Sequence, residues 1–414
     1  MTYIEELGKR AKAAENAIRS ISTEQKNAAL KAIAEKLSEN EDLIIEDNKK
    51  DVVNAEKNGR TVAFIDRLTL NHKRIAEISG SVMEIAALPD PVGEVIGGGE
   101  MKEGFSIVKK RVPLGVIGII FESRPNVTVD AAALCLKSGN VCVLRGGSDA
   151  INSNKRLADL MRKALEESGL TADCILLAED TGRETASDMM KLNKYIDVLI
   201  PRGGKELINS VVQNSTVPVI QTGEGNCHVY VDEYADIEMA VRIADNAKTQ
   251  RPSVCNAIET LLVHEKAAEE TLKKLYEIWK DKVTIYGDKA VSGIIPVARE
   301  AGEEDYHKEF NDYIIAVRVV GSVDEAIAHI NKYGTRHSEC IVTNDYDNAN
   351  KFQRQVDAAA VYVNVSTRFS DGNVFGLGAE IGISNQKLHA RGPLGLRELT
   401  SYKFIINGGG QIRT

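Results

Sequence analysis

Cys255 stands where a nucleophilic thiol belongs in this chain of 414 residues. It lies in the polar segment Gln250-Arg251-Pro252-Ser253-Val254-Cys255-Asn256-Ala257, between a helical stretch, Asp236 to Lys248, and the apolar run Ile258-Glu259-Thr260-Leu261-Leu262-Val263. A loop tip leaves the sulfur accessible, and the guanidinium of Arg251, four residues upstream, favours the thiolate, the reactive form. The plain alternative for a cysteine next to a strand is a small core filler. Two glycine turns carry a second chemistry: Arg145-Gly146-Gly147-Ser148 follows Val141 to Leu144, and Arg202-Gly203-Gly204-Lys205 follows Val198 to Pro201. Each opens onto a helical stretch, so a phosphate could reach backbone amides at a helix N-terminus. Neither is a GxGxxG fingerprint, and a tight turn with no ligand is the plain alternative for both. Gly376-Leu377-Gly378 and Gly97-Gly98-Gly99 lack the strand-turn-helix context and read as loop glycines.

The elements that position these residues follow from hydrophobic pattern. About the first ninety residues read as helices; Ser22 with Gln25 forms a capping box, and Leu30, Ile33 and Leu37 fall on one face. Pro89 and Pro91 end this region. Residues 92 to 113 are glycine-rich and then lack a helical period, as an extended hairpin arm would. From Leu114 onward, short apolar runs alternate with amphipathic stretches: Val116 to Phe121, Val141 to Leu144, Cys174 to Ala178, Ile196 to Ile200 and Val217 to Gln221. That alternation predicts an α/β fold with a doubly wound parallel sheet, followed by a second alternating block from Cys227 to about Ala360. Tyr402 to Asn407 reads as a closing strand that pairs with the arm, within or between subunits.

Several segments resemble the gamma-glutamyl phosphate reductase family, a branch of the aldehyde dehydrogenase superfamily. They are the Cys255 loop, Glu122-Ser123-Arg124-Pro125-Asn126-Val127-Thr128, Leu134-Cys135-Leu136-Lys137-Ser138-Gly139-Asn140, Asn331-Lys332-Tyr333-Gly334 and Ala390-Arg391-Gly392-Pro393-Leu394-Gly395-Leu396. The resemblance implies an aldehyde dehydrogenase-like fold: a cofactor-binding domain over 1–91 and 114–222, a catalytic domain over 223–396, and an oligomerisation arm over 92–113 and 397–414. It implies NADP(H)-dependent reduction of L-glutamyl 5-phosphate through a thioacyl intermediate on Cys255, in proline biosynthesis, by a homo-oligomer. A transient contact with glutamate 5-kinase, which makes that acyl phosphate, stays open.

Residue by residue, the resemblance assigns the first glycine turn (Arg145, Gly146, Ser148) to the adenine ribose and the second (Gly203, Gly204) to the cofactor phosphates. Dehydrogenases of the superfamily carry a lysine and, three residues on, a carboxylate at the first turn. Arg145 and Ser148 stand there instead, a pair better suited to a 2'-phosphate, which points to NADP. Glu309 and Phe310 match the pair that contacts the nicotinamide ribose. At the position of the superfamily's oxyanion-binding asparagine, Glu122 and Asn126 compete, and an amide is the better donor. Arg124, Arg251 and Arg368 are candidates to hold the substrate's phosphate or carboxylate. Hydrolytic relatives place a general-base glutamate where this chain has Thr222 in Thr222-Gly223-Glu224-Gly225-Asn226, with Glu224 displaced by two residues. Without that base a thioacyl enzyme resists water, as a reductase of acyl phosphates requires.

Composition narrows the alternatives. With 43% hydrophobic and 27% charged residues, the chain is that of a globular protein of two or three domains. A net charge of −8 gives no general attraction to nucleic acid or acidic lipid. Six dispersed cysteines without CxxC pairs or metal-ligand spacing read as reduced, mainly buried and cytoplasmic, with no metal required. His228 and His264 read as structural. The N-terminus has no signal-peptide character, and Val112 to Phe121 is too short to span a bilayer. Rival readings are a CoA-acylating or hydrolytic aldehyde dehydrogenase, a cysteine hydrolase or acyltransferase, and a nucleotide-binding protein without catalysis.

Overall fold

A computed structural model describes residues 2–122 and 124–413, apart from the side chain of Ala63; Ser123 of the 122–128 motif lies outside the described residues. The chain divides into two compact units, one of residues 1–221, 376–382 and 394–414, the other of 222–375 and 383–393. Residues 376–382 and 394–396, which the sequence reading put in the catalytic domain, thus belong to the first unit, as do the arm segments.

The first unit opens with five helices. Ser22 accepts from the Gln25 amide while the Gln25 side chain accepts from the Ser22 amide, closing the expected capping box. Leu30, Ile33 and Leu37 are fully buried. Its parallel sheet runs in the order Ile175–Leu177, Val141–Arg145, Val116–Phe121, Val198–Arg202. Chain order reverses around the all-buried strand Val116–Phe121, the kind of switch point where α/β sheets open a crevice at their carboxyl ends. Val217 to Gln221 is not a strand: only Val219 bridges to Leu199, and Pro218 has no N–H to extend the ladder. The arm is an antiparallel sheet of Val95–Glu100, Ser106–Pro113 and Thr400–Asn407, so the C-terminal strand pairs within its own chain. Gly97 to Gly99 are part of this sheet, not loop residues. Gly98 has φ +137°, and a Cβ there would lie 2.2 Å from the Ile107 carbonyl oxygen, so only glycine fits.

The second unit holds a seven-stranded, all-parallel sheet in the order Arg299–Glu300, Thr284–Gly287, Ile314–Val320, Ile258–His264, Cys227–Val231, Ser338–Val342, Ala360–Val363. Its central strands are buried on both faces, which explains their unbroken apolar runs. Helix Ile237–Thr249, capped by Asp236, leads to the Cys255 loop, and Ile258–His264 leaves it. The loop therefore sits at the amino ends of the strands. No helix among the described residues is long and apolar enough to cross a membrane, and no cluster of three metal-ligating side chains occurs among them.

Candidate active site

Of the six cysteines only Cys255 is partly exposed; the other five are buried. Val254 to Ala257 closes as a turn, the Ala257 amide donating to the Val254 carbonyl at 3.0 Å, with Cys255 and Asn256 at its centre. Arg251 and Arg368 share Cys255's electrostatic environment. Partial burial pulls the Arg368 guanidinium below its ordinary value, Cys255 offsets that, and Arg251 adds to it. Arg368 also donates from Nε to Gln250 Oε1 at 2.8 Å, which fixes its stem beside the loop. Positive charge beside a thiol favours its thiolate and attracts anions.

The base of the loop is closed by a buried ion pair. Lys248, at the end of the preceding helix, reaches Glu259, at the start of the following strand, at 2.6 Å, and both are fully buried. Burial pushes Lys248 down and Glu259 up, and each partly restores the other. Glu259 also accepts from the Asn311 amide at 3.1 Å, tying in the turn after Glu309 and Phe310. Glu309 Oε1 accepts from the Gly225 amide at 2.8 Å, so this residue braces the 222–226 loop. Phe310 stacks on Tyr286, ring centroids 6.0 Å apart. A Cβ on Gly225 would lie 1.5 Å from the Cys255 carbonyl oxygen, so the two loops pack main chain to main chain and glycine is obligatory. Thr222 is buried, and the carbonyl of Glu224 accepts from Thr335 Oγ1 at 2.7 Å.

In the first unit the two glycine turns and Glu122 follow three adjacent strands at their carboxyl ends. Arg145 donates from Nη2 to the carbonyls of Thr181 and Gly182 at 2.5 and 3.1 Å, while its buried Nε has no partner. Ser148 is exposed at the start of a 3₁₀ turn. An orphaned guanidinium nitrogen and an exposed hydroxyl on one turn fit a phosphate group. The second turn differs. Glu122 Oε2 accepts from the Gly204 amide at 3.0 Å, so a carboxylate occupies the helix N-terminus that Gly203 and Gly204 were expected to offer to a phosphate. Asn126 donates from Nδ2 to Asp130 at 3.0 Å; burial pushes Asp130 up to about 6, with Asn126 and Arg202 pulling it back. Arg124, Asn126, Asp130, Arg202 and Glu380 line one small cavity of about 50 Å³.

A model of the aldehyde dehydrogenase family matches residues 2–312 and 306–405. The chain belongs to the aldehyde dehydrogenase family. It is 58% identical over its full length to a gamma-glutamyl phosphate reductase of Carboxydothermus hydrogenoformans, covering all of both chains. A gamma-glutamyl phosphate reductase of Clostridium botulinum is 56% identical over 407 residues, 98% of each chain. The crystal structure of gamma-glutamyl phosphate reductase from Thermotoga maritima superposes with a TM-score of 0.98 at 50% identity, covering all of both chains.

Within this aldehyde dehydrogenase fold, several matched motifs are structural. Asn140 accepts from the Gly115 amide and donates to the Leu399 carbonyl, at 2.8 and 2.9 Å. Tyr333 presents its carbonyl to Asn226 Nδ2 at 2.9 Å. Arg391 pairs with Asp357 at 2.8 Å. His228, buried against Glu339 and pushed down to about 3 by burial, is a structural histidine as expected. Sequence reasoning gave no role to Asn256, which holds the carbonyls of Arg368 and Ser370 at 3.3 and 2.9 Å. An amide directly after Cys255 and before a buried strand was the available signal.

Proposed function

We propose that this protein reduces L-glutamyl 5-phosphate to L-glutamate 5-semialdehyde and phosphate with NADPH, in proline biosynthesis. Full-length identity of 58% to a relative of that name supports the substrate, and the grouping of Cys255 with Arg251 and Arg368 supports the chemistry. Cys255 thiolate attacks the acyl carbon; the bond from that carbon to the phosphate oxygen breaks, and phosphate departs with the electron pair, leaving a thioester on Cys255. Arg251 and Arg368 hold the leaving phosphate, and Arg124 holds the substrate's α-carboxylate. Asn126 is the proposed oxyanion donor, its amide oriented by Asp130. Arg145, Gly146 and Ser148 would hold the 2'-phosphate end of NADPH, and Glu309 and Phe310 its nicotinamide ribose. Bound there, NADPH supplies the hydride. Cys255 then leaves as thiolate when the carbon–sulfur bond breaks, releasing the aldehyde. Thr222, at the general-base position of hydrolytic relatives, cannot take a proton from water, which protects the thioester.

The spread of buried, unpaired thiols supports a cytoplasmic location. Tyr402, Phe404 and Ile406, exposed on the C-terminal strand, support assembly of several copies through the arm. The reverse reaction tests the function directly. Cyclised semialdehyde with NADP and inorganic phosphate should give NADPH in a steady, phosphate-dependent reaction, and no NADPH formation from this substrate would refute the assignment.

A further inference from the structure

The main chain of Cys255 is held from behind by buried side chains that the proposed reaction does not use. The Cys255 carbonyl points inwards and accepts from the thiol of Cys227, Sγ to oxygen 3.1 Å, at the first residue of the strand Cys227–Val231. The same sulfur lies 3.7 Å from His337 Nδ1, itself 2.9 Å from Ser338 Oγ. Ser338 Oγ meets Ser370 Oγ at 2.5 Å, and the Tyr362 hydroxyl meets Ser370 Oγ at 2.6 Å. Asn256 closes the far side, its carbonyl accepting from Thr367 Oγ1 at 2.7 Å. Cys227, His337, Ser338 and Thr367 are fully buried. Burial pushes the Cys227 thiol well up, so it stays an S–H and acts as the donor.

A trans peptide sets its C=O and N–H in opposite directions. With the Cys255 carbonyl drawn inwards, the N–H of Asn256 is turned outwards, and no acceptor among the described residues takes it. An S–H is a weak donor, but here it is enclosed, where a hydrogen bond gains strength. We propose that Cys227 is a positioning residue for the nucleophile: its thiol locks the central peptide of the Cys255 turn and so fixes an outward main-chain donor beside the sulfur. This rests on Cys255 being the nucleophile.

The test compares Cys227→Val, which removes the donor and adds bulk, with Cys227→Ser, which keeps a donor. Cys227→Ala removes the same donor by deletion and replaces the valine variant if that one fails to fold. Three quantities are read: kcat and KM in the reverse assay, NADPH affinity by fluorescence, and the pH dependence of iodoacetamide alkylation at Cys255, followed by peptide mass spectrometry. Valine and alanine should lower kcat about tenfold, equivalent to about 1.4 kcal/mol and within the range of one hydrogen bond. Their NADPH affinity should not change, and their alkylation profile should move from that of the wild type. Serine should restore both kcat and the alkylation profile to within about threefold. A kcat within twofold of wild type in the valine and alanine variants overturns the proposal, as does a serine variant impaired as much as they are at the same melting temperature. Cys255→Ser separates the two levels. If that variant keeps its activity, the nucleophile assignment itself has failed; if it is inactive while the Cys227 variants are normal, only the positioning role has.

Discussion

Arg145→Ala combined with Ser148→Glu, both in the first unit, should reverse the proposed preference for NADP. Arg145 spends Nη2 on the carbonyls of Thr181 and Gly182, 2.5 and 3.1 Å away, and leaves a buried Nε without a partner. Ser148 offers an exposed hydroxyl three residues along the same turn. If these groups bind a 2'-phosphate, Arg145→Ala removes at least one charge-assisted hydrogen bond, worth about 1.5 to 3 kcal/mol. At 1.36 kcal/mol per tenfold, that lowers kcat/KM for NADP by about one to two decades. Ser148→Glu adds a carboxylate that repels the phosphate and can accept from a free ribose hydroxyl, raising use of NAD. Losing the tie to the 181–182 turn also loosens the local structure, but that harms both cofactors alike and cancels in their ratio. The assay is therefore the ratio of kcat/KM for NADP to that for NAD, in semialdehyde oxidation with phosphate. Wild type should favour NADP, and the double variant NAD. A ratio that stays the same, even with lower absolute rates, refutes the reasoning and assigns the ribose to another group.

Cys255→Ser should abolish turnover and leave NADPH binding nearly intact, because a serine hydroxyl is not ionised by neighbouring guanidiniums; activity within tenfold of wild type contradicts the covalent route. Omitting phosphate from semialdehyde oxidation should leave at most one stoichiometric burst of NADPH. Thr222→Glu should open a slow phosphate-independent route, and sustained phosphate-free turnover by the wild type would instead move the base role to Glu224. Asp130, raised by burial to about 6 from 3.8, binds its proton more tightly in the folded state. Its stabilising share is thus present below about pH 4 and lost as pH rises through about 6, by up to about 3 kcal/mol at 1.36 per pKa unit. Denaturant unfolding of wild type and Asp130→Asn between pH 4 and 7 should show the wild type losing stability relative to the variant as pH rises along that window, and a constant difference refutes it.

What could be read along the chain was whatever depends on neighbours in sequence. Buried parallel strands announced themselves as apolar runs at Val116–Phe121 and Ile258–His264, because both of their faces are covered. The Ser22 capping box needs only residues three apart, and it formed as expected. The Cys255 loop stood out through its resemblance to a known active-site loop and the matching motifs around it, because a cysteine beside a strand is by itself more often a small core filler. Val217 to Gln221 had the right composition, but one proline removed the donor a ladder needs. The remaining decisions were made by strand order. Cys227–Val231 lies between Ile258–His264 and Ser338–Val342, and that arrangement brings Cys227, Cys255 and His337 together at the amino ends of these strands. Glu122 reached the Gly204 amide because its strand neighbours Val198–Arg202 in space while lying far from it along the chain. Arg368 came to Cys255, and Glu309 to Gly225, by the same route. Local periodicity encodes which face is buried, but not which distant segment will cover it; that depends on how the strands are ordered once the whole sheet has closed.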